Sequence, residues 1–110
     1  MKTELTDLRD ALRDFAAARD WRRFHTPKNL AMALIVEAAE LVEHFQWATA
    51  EESLALAPDK AAQVEEEVAD VLIYLVELAD ILDIDLIAAA RRKMGKNAQK
   101  YPPTVDLAAK

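Results

Sequence analysis

The sequence predicts an all-α protein. The 110 residues include a single glycine and four prolines, and they are rich in the helix formers Ala, Leu and Glu. Apolar residues recur at intervals of three and four, and there is no Asn-Gly turn or sustained alternation that would indicate a sheet. A chain of this length suits one domain, here residues 1–110, that buries about two-thirds of its unfolded surface. We therefore expect one domain built as a four-helix bundle.

The first helix is expected to run from the N-terminal threonines to about Arg19. Thr3 or Thr6 can serve as its N-cap, and an apolar stripe follows at helical spacing, formed by Leu5, Leu8, Leu12 and Phe15. Residues 20–26 lose this period, so we expect a loop there. Pro27 suits the first turn of the next helix, where its missing N–H has no partner to lose.

Two strongly apolar segments, residues 30–47 and 63–82, predict the second and third helices. Each contains two acidic residues three positions apart, which are Glu37 and Glu40 in the first segment and Glu67 and Asp70 in the second. At about 100° per residue, the second pair falls on the same arc as Tyr74. We therefore expect the four carboxylates to face inward.

Inward carboxylates predict a metal site. An unpaired buried carboxylate costs several kcal/mol unless a cation or hydrogen-bond donors compensate it. Helical residues three apart have Cβ atoms about 5–6 Å from each other, so each pair can hold a hard cation. Ligation by oxygen alone favours Mg²⁺, with Mn²⁺ as the alternative. The competing interpretation is a set of solvated surface pairs, which a chain with 20 acidic residues supplies by chance; the apolar neighbours weigh against it.

The remaining elements follow from caps and prolines. Thr49 can cap a short helical turn, and Pro58 then breaks the chain before the third helix. Asp83 or Asp85 can cap a last helix, which Pro102 must stop because proline cannot continue the hydrogen-bond ladder. The third helix is apolar almost all round from residue 68 to residue 82, which indicates that neighbouring helices or a second subunit cover it. We expect a homodimer or homotetramer.

Three polar side chains recur every four residues along the last helix: Lys93, Asn97 and Tyr101. This stripe offers an ammonium, an amide and a phenol on one face. The simple explanation is that C-terminal lysines oppose the helix dipole. Taken with the acidic pairs, the stripe is better interpreted as half of a phosphate-binding site.

Aromatic residues concentrate at the two ends of the second helical segment. Trp21 precedes it and Trp47 closes it, so the two rings are candidates for a slot that stacks on a planar ring. His25 lies in the loop beside Phe24. Aromatic and histidine side chains in a loop are also common as core plugs, and the sequence leaves both interpretations open.

Several classes of function are excluded or disfavoured by composition. A net charge of −6 argues against a nucleic-acid polymer as partner, although an anionic small molecule can bind through a bridging metal. No apolar run approaches the roughly 18 residues of a membrane span, and the N-terminus lacks the apolar core of a signal peptide. We expect a soluble, cytoplasmic protein with no membrane partner. The chain has no cysteine, so no thiolate can serve as ligand or nucleophile.

Four motifs carry a resemblance to a known family that covers residues 15–102: DW-x-x-FH-x-P-x-N, EAAELVEHFQW, EEVADVLIYLV and KM-x-x-N-x-x-x-YP. Together they resemble the MazG-like all-α nucleoside triphosphate pyrophosphohydrolases, and within them the dCTP pyrophosphatase branch. The resemblance implies a helical dimer or dimer of dimers that uses magnesium to cleave a nucleoside triphosphate to monophosphate and pyrophosphate. The implied substrate is dCTP or a modified dCTP, and the implied role is cleansing of the nucleotide pool.

The resemblance also implies roles for individual residues. The implied metal ligands and catalytic residues are Glu37, Glu40, Glu67 and Asp70. The implied base and sugar pocket comprises Trp21, His25, Trp47 and Tyr74, with Asn29 nearby. The implied phosphate contacts are Lys93, Asn97 and Tyr101. One departure is Ala98, where the family often has an arginine; Lys96 and Lys100 are the nearest cations.

Other functions stay open at this point. Within the enzymes, the alternative is a dUTPase-like or phosphoribosyl-ATP-cleaving relative. Outside them, the alternatives are a helical interaction module without chemistry and a metal-dependent nucleotide sensor without turnover. The spacing of the motifs does not choose the general base, the phosphorus atom that is attacked or the number of metal ions.

Overall fold

The computed structural model describes residues 2–104. It contains five α-helices and one short 3-10 helix, and no strand occurs within that range. The helices are α1 (Glu4–Ala18), the 3-10 helix (Arg22–Phe24), α2 (Pro27–Glu43), α3 (Ala50–Ser53), α4 (Pro58–Ile81) and α5 (Leu86–Lys100). The all-α prediction is confirmed, with four long helices and one single-turn helix.

Side-chain caps set where the helices begin. Thr3 and Thr6 form a reciprocal capping box on α1, in which the backbone N–H of each donates to the hydroxyl of the other at 2.6 and 3.1 Å. Asp85, rather than Asp83, caps α5 by accepting from the Ala88 N–H at 3.1 Å. Because such caps satisfy the otherwise orphaned N–H groups of the first turn, their positions are readable from sequence.

The second helix starts at the proline predicted for its first turn, but it ends before the apolar segment of residues 30–47 does. It begins at Pro27 and ends at Glu43. Thr26 caps it, its hydroxyl accepting from the Asn29 N–H at 3.1 Å, so the regular hydrogen bonds start earlier than the apolar pattern. The chain then turns over residues 44–47. In the expected loop of residues 20–26, the 3-10 turn shortens the connection between α1 and α2.

The core lies where α4 packs against α2 on one side and α1 on the other. Its buried side chains are Ala16, Leu30, Val76 and Ala79. An ion pair also joins α1 to α4: the guanidinium of Arg13 donates to both carboxylate oxygens of Asp80, with Nε to Oδ2 at 2.8 Å. This fork lowers the pKa of Asp80, because hydrogen bonds from Arg13 favour the ionised carboxylate.

The last helix, α5, makes only marginal contact with the other elements. The described chain is accordingly elongated, with extents of 59 × 36 × 25 Å. Many large apolar side chains are exposed, including Met32, Ile35, Val36, Val42, Val68, Leu72, Ile87 and Met94. Within residues 2–104, no helix combines the length and apolar character needed to cross a membrane.

Candidate functional site

Three carboxylates converge where α2 packs on α4. Glu37 of α2 and Glu67 and Asp70 of α4 each offer an oxygen atom, and these three atoms lie within 4.8 Å of one another. All three residues are half-buried. Glu67 and Asp70 are one turn apart on the face of α4 that meets α2, which explains why the spacing of three brings both towards Glu37. We call these three residues the acidic cluster.

Glu40 lies beside the acidic cluster without joining its closest set of oxygen atoms. It is half-buried, and its proximity helps to raise the pKa of both Glu37 and Glu67. All four acidic residues singled out in the sequence therefore come to one place. The structure distinguishes them, because the three residues of the acidic cluster bring oxygen atoms within 4.8 Å of one another, whereas Glu40 lies beside that group.

The protonation of the acidic cluster reflects burial and crowding. Burial is the largest cause that raises the pKa of Glu37 to about 7, followed by the hydrogen bond and charge of Glu40. The pKa of Glu67 is also raised, chiefly by burial. Desolvation and like charge both disfavour the ionised form of a carboxyl group. The site therefore holds negative charge at a cost, which a bound cation would relieve.

Two oxygen atoms of the acidic cluster have no hydrogen-bond partner in the part of the chain that the structure describes. They are Oε2 of Glu37 and Oε2 of Glu67, and both are buried. A buried acceptor without a partner costs about 1–3 kcal/mol, so native proteins seldom keep one without a reason. Oxygen-only donors of this kind fit a hard divalent cation such as Mg²⁺.

Tyr74 extends the site along α4, one turn beyond Asp70. It is half-buried, and its pKa is raised first by burial and then by the charges of Glu37, Glu77 and Asp70. Tyr74 follows Asp70 by four residues, so it lies on the same side of α4 as the acidic cluster, as the sequence analysis expected for a residue on the same arc. A neutral hydroxyl beside carboxylates can donate a hydrogen bond to them or to a ligand.

Glu77 is a half-buried acidic residue of α4 that the sequence analysis missed. Its carboxylate Oε2 lies 3.9 Å from Nδ1 of His25. Its spacing in the sequence could have revealed it. Glu77 follows Asp70 by seven residues and Tyr74 by three, so it continues the same helical stripe. His25 itself, predicted from the resemblance to line the pocket, is therefore held near α4.

Asn29 shapes the loop that carries His25. Its side-chain Nδ2 donates to the carbonyl of Phe24 at 2.9 Å, and its backbone N–H donates to the hydroxyl of Thr26 at 3.1 Å. The amide predicted to lie near the pocket thus closes the turn between the 3-10 helix and α2. Because Asx side chains compete with local backbone in this way, a motif asparagine can act by positioning.

The two tryptophans have different surroundings. Trp21 packs edge-on against Phe15, with ring centroids 5.6 Å apart and planes at 63°, and the Arg19 guanidinium lies 3.5 Å from the centre of the Phe15 ring. Trp47 is 89% exposed. No ring contact joins the two tryptophans among residues 2–104, so one chain alone does not form the stacking slot that their positions suggested.

The polar stripe of α5 is not part of this assembly in a single chain. Lys93, Asn97 and Tyr101 are exposed, and α5 makes only marginal contact with α2 and α4. Tyr101 lies at the C-cap of α5, and its N–H donates to the Asn97 carbonyl at 2.7 Å. The structure therefore brings together the acidic residues, Tyr74 and His25, and leaves the phosphate-binding candidates on a separate helix.

Comparison with known proteins gives the class. The MazG-like family model matches residues 32–106, and this chain belongs to that family. Among its relatives is dCTP pyrophosphatase 1 of Rattus norvegicus, 47% identical over 100 residues, which are 89% of this chain and 59% of that protein. The Homo sapiens protein of the same name is 46% identical over the same shares. The chain thus spans 59% of the length of these curated relatives.

A solved structure is similar over the whole fold. It is that of a pyrophosphatase from Archaeoglobus fulgidus DSM 4304, which is 45% identical and superimposes with a TM-score of 0.87, covering 94% of this chain and 96% of that one. The resemblance that the motifs carried is confirmed at the level of the family, and the all-α architecture agrees with that of the solved protein.

Proposed function

We propose that this protein is a metal-dependent nucleoside triphosphate pyrophosphohydrolase. The observation that carries the proposal is the acidic cluster, whose buried oxygens on Glu37 and Glu67 lack hydrogen-bond partners in residues 2–104. The names of the relatives, dCTP pyrophosphatase 1 and a pyrophosphatase, support dCTP or a modified dCTP as substrate, with a monophosphate and pyrophosphate as products. This activity would remove unwanted nucleotides from the cytoplasmic pool.

The acidic cluster and Glu40 would hold the metal, for which Mg²⁺ is the first candidate and Mn²⁺ the second. A bound divalent cation supplies charge neutralisation on the triphosphate and makes water more acidic. The chain's own contribution is to bring four carboxylates together where α2 packs on α4 and to shield some of their oxygen atoms from solvent. One of the glutamates would accept the proton from the attacking water.

The nucleoside would bind beside Tyr74, next to the acidic cluster. His25 lies on the loop above this face of α4, held by the turn that Asn29 closes. The indole of Trp47 is exposed and available to stack on a base. Trp21, which is anchored on Phe15, would complete the pocket.

A second copy of the chain would complete the site and cover the apolar faces. Large apolar side chains of α2, α4 and α5 are exposed in one chain, and contiguous exposed apolar surface is typical of protein–protein interfaces. The same partner explains how the stripe of Lys93, Asn97 and Tyr101 would reach triphosphate oxygens, because in one chain α5 stands apart from the acidic residues. We therefore propose a homodimer or a dimer of dimers.

A pyrophosphate-release assay across nucleotides tests the proposal. The panel would include dCTP, 5-methyl-dCTP, dUTP, dTTP, the ribonucleotides and phosphoribosyl-ATP, each with Mg²⁺, with Mn²⁺ and with EDTA. We expect release from the cytosine deoxynucleotides, and only with metal. Preference for dUTP or phosphoribosyl-ATP would place the chain with those relatives instead. Metal-dependent binding without release would identify a sensor, and the absence of both binding and release would leave an interaction module.

A further inference from the structure

Glu77, about one turn beyond Tyr74 on α4, forms a pair with His25. Their side chains are only 15% and 19% exposed, and Oε2 of Glu77 lies 3.9 Å from Nδ1 of His25. The two residues come from different elements, since Glu77 is in α4 and His25 follows the 3-10 helix. Packing of the loop against α4 is therefore what brings them together.

A small cavity lies between this pair and α1. Its volume is about 30 Å³, and apolar side chains share its lining with Arg9, Arg13, Arg22 and Asp80. The distance of 3.9 Å exceeds that of a direct hydrogen bond. The cavity has room for about one water molecule, so the pair can close through a small side-chain rotation or through a bridging water.

Within residues 2–104, none of the arginines around the cavity forms an ion pair with Glu77, since Arg9 donates to Asp10 and Arg13 to Asp80. Arg13 makes its two hydrogen bonds to Asp80, and the charges of Arg9 and Arg22 also lower the pKa of Asp80. In contrast, burial raises the pKa of Glu77, and His25 supplies the only opposing charge. Among residues 2–104, His25 is the only basic group within 4.0 Å of the Glu77 carboxylate.

A carboxyl group at this position lowers the stability of the fold unless another group interacts with it. Neighbouring positions of α4 that face the core are apolar, with Val76 and Ala79 both buried, and a buried carboxyl costs free energy unless it is paired. An imidazole, however, gains a defined tautomer when one of its nitrogens is held by a carboxylate. Such a pairing would be useful if the second imidazole nitrogen, Nε2, contacts a ligand, because the tautomer decides whether Nε2 donates or accepts a hydrogen bond.

We propose that Glu77 is a positioning residue for His25. Its carboxylate keeps the proton of the imidazole on Nδ1 and fixes the plane of the ring, so that Nε2 presents one defined hydrogen-bonding role to the nucleotide. This inference rests on the proposed function for the part that concerns the nucleotide. The pairing itself is a property of the free protein, and it can be measured without turnover.

The first experiment measures the tautomer of His25 by two-bond ¹H–¹⁵N correlation NMR of the free protein. The chain has two histidines, so a His44→Gln variant assigns the signals. We expect the Nδ1–H form, or the doubly protonated ring, in the wild type, and a shift towards the Nε2–H form in Glu77→Leu. The exposed residue Glu65 of α4 provides the control Glu65→Gln, which should leave the spectrum unchanged. An Nε2–H wild type would overturn the pairing whether or not the protein is an enzyme.

The second experiment is a double-mutant cycle on KM. Glu77→Leu and His25→Ala should each raise KM about fivefold, as for one lost hydrogen bond, with kcat changed less than twofold. The KM of the double variant should equal that of His25→Ala, because Glu77 acts through the imidazole ring of His25. Glu77→Gln, which can still accept from Nδ1–H, should recover most of the wild-type KM.

Additive effects on KM would instead show that Glu77 acts independently of His25 and would overturn the proposal. Circular dichroism and melting temperature check that the variants fold. If Glu77→Leu does not fold, Glu77→Gln replaces it in the double-mutant cycle. The smaller rise in KM that Glu77→Gln causes must then be absent when His25 is already replaced by Ala. If no nucleotide is hydrolysed, the proposed function fails while the tautomer measurement still decides the pairing.

Discussion

Glu37 on α2 and Glu67 on α4 approach each other across the helix junction with ligand oxygens within 4.8 Å, and each has an Oε2 atom that is buried without a hydrogen-bond partner in residues 2–104. Two carboxylates in this relation repel each other when both are ionised. Such an arrangement lowers the stability of the metal-free protein and suits a site that is completed by a cation.

Neutral isosteres of the four acidic residues should abolish turnover. Glu37→Gln, Glu40→Gln, Glu67→Gln and Asp70→Asn are each expected to cut kcat at least about a hundredfold, which corresponds to about 2.7 kcal/mol of barrier. Pyrophosphate release in saturating Mg²⁺ measures the effect. Glu43→Gln, an exposed change on α2, serves as the matched control and should remain near the wild type. Near-wild-type rates in three of the four would end the metal-site hypothesis.

The stability of the metal-free protein should depend on the protonation of Glu37. Its pKa is raised from 4.5 to about 7, so the folded protein binds this proton more tightly than the unfolded chain does. The contribution to stability is therefore fully present below pH 4.5 and is lost as the pH rises through about 7. In EDTA, the melting temperature of the wild type should fall between pH 5 and pH 8 relative to that of Glu37→Gln. A constant difference across this range would contradict the assignment.

Metal should stabilise the protein, and Glu40→Gln should raise the melting temperature of the metal-free protein although it abolishes turnover. Mg²⁺ at ten times its dissociation constant adds about 1.4 kcal/mol to the free energy of unfolding. In EDTA, Glu40→Gln should melt at a higher temperature than the wild type, because one repelling charge is gone, and added salt should shrink the difference. Differential scanning fluorimetry measures both. A variant destabilised by about 2 kcal/mol in EDTA, as for a broken buried hydrogen bond, would make Glu40 a structural residue.

The two tryptophans should respond differently to truncation. Trp47→Ala is expected to weaken nucleotide binding by about 1–3 kcal/mol, as for lost base stacking, with little change in melting temperature because its ring is 89% exposed. Trp21→Ala should weaken binding and also lower the melting temperature, since it removes the edge-on contact with Phe15. Isothermal titration calorimetry and thermal melting separate the two effects. Unchanged affinity in both variants would place the base elsewhere.

Assembly should be required for the phosphate contacts. Light scattering is expected to show a dimer or tetramer at micromolar concentration, because the apolar faces of α2, α4 and α5 are exposed in one chain. If α5 serves the partner's site, mixing inactive Asn97→Ala with inactive Glu67→Gln should restore part of the activity, since mixed dimers contain one intact site. Mixing Glu67→Gln with Glu37→Gln should restore none. An active monomer would contradict the assembly.

Features that depend on a few neighbouring residues were readable from the sequence. The threonine and aspartate caps, Pro27 at the start of α2, and the acidic pairs three residues apart all act within one or two helical turns. For the same reason the all-α class and the inward direction of the four carboxylates were predictable. The motif resemblance then identified the family, because its residues recur at fixed spacing over most of the chain.

Other features depend on how the helices pack, and no local pattern specifies that. The rotation of α2 against α4 puts Glu37 into one tight set of oxygens with Glu67 and Asp70 and leaves Glu40 beside it. The fold of the loop over α4 pairs His25 with Glu77, a contact between residues 52 positions apart in the sequence. The last helix, α5, makes only marginal contact with α2 and α4, so its polar stripe is not packed against the acidic residues of the same chain. These arrangements arise from side-chain packing between distant segments, whose relative positions are set by the shared core and not by the period of any single helix.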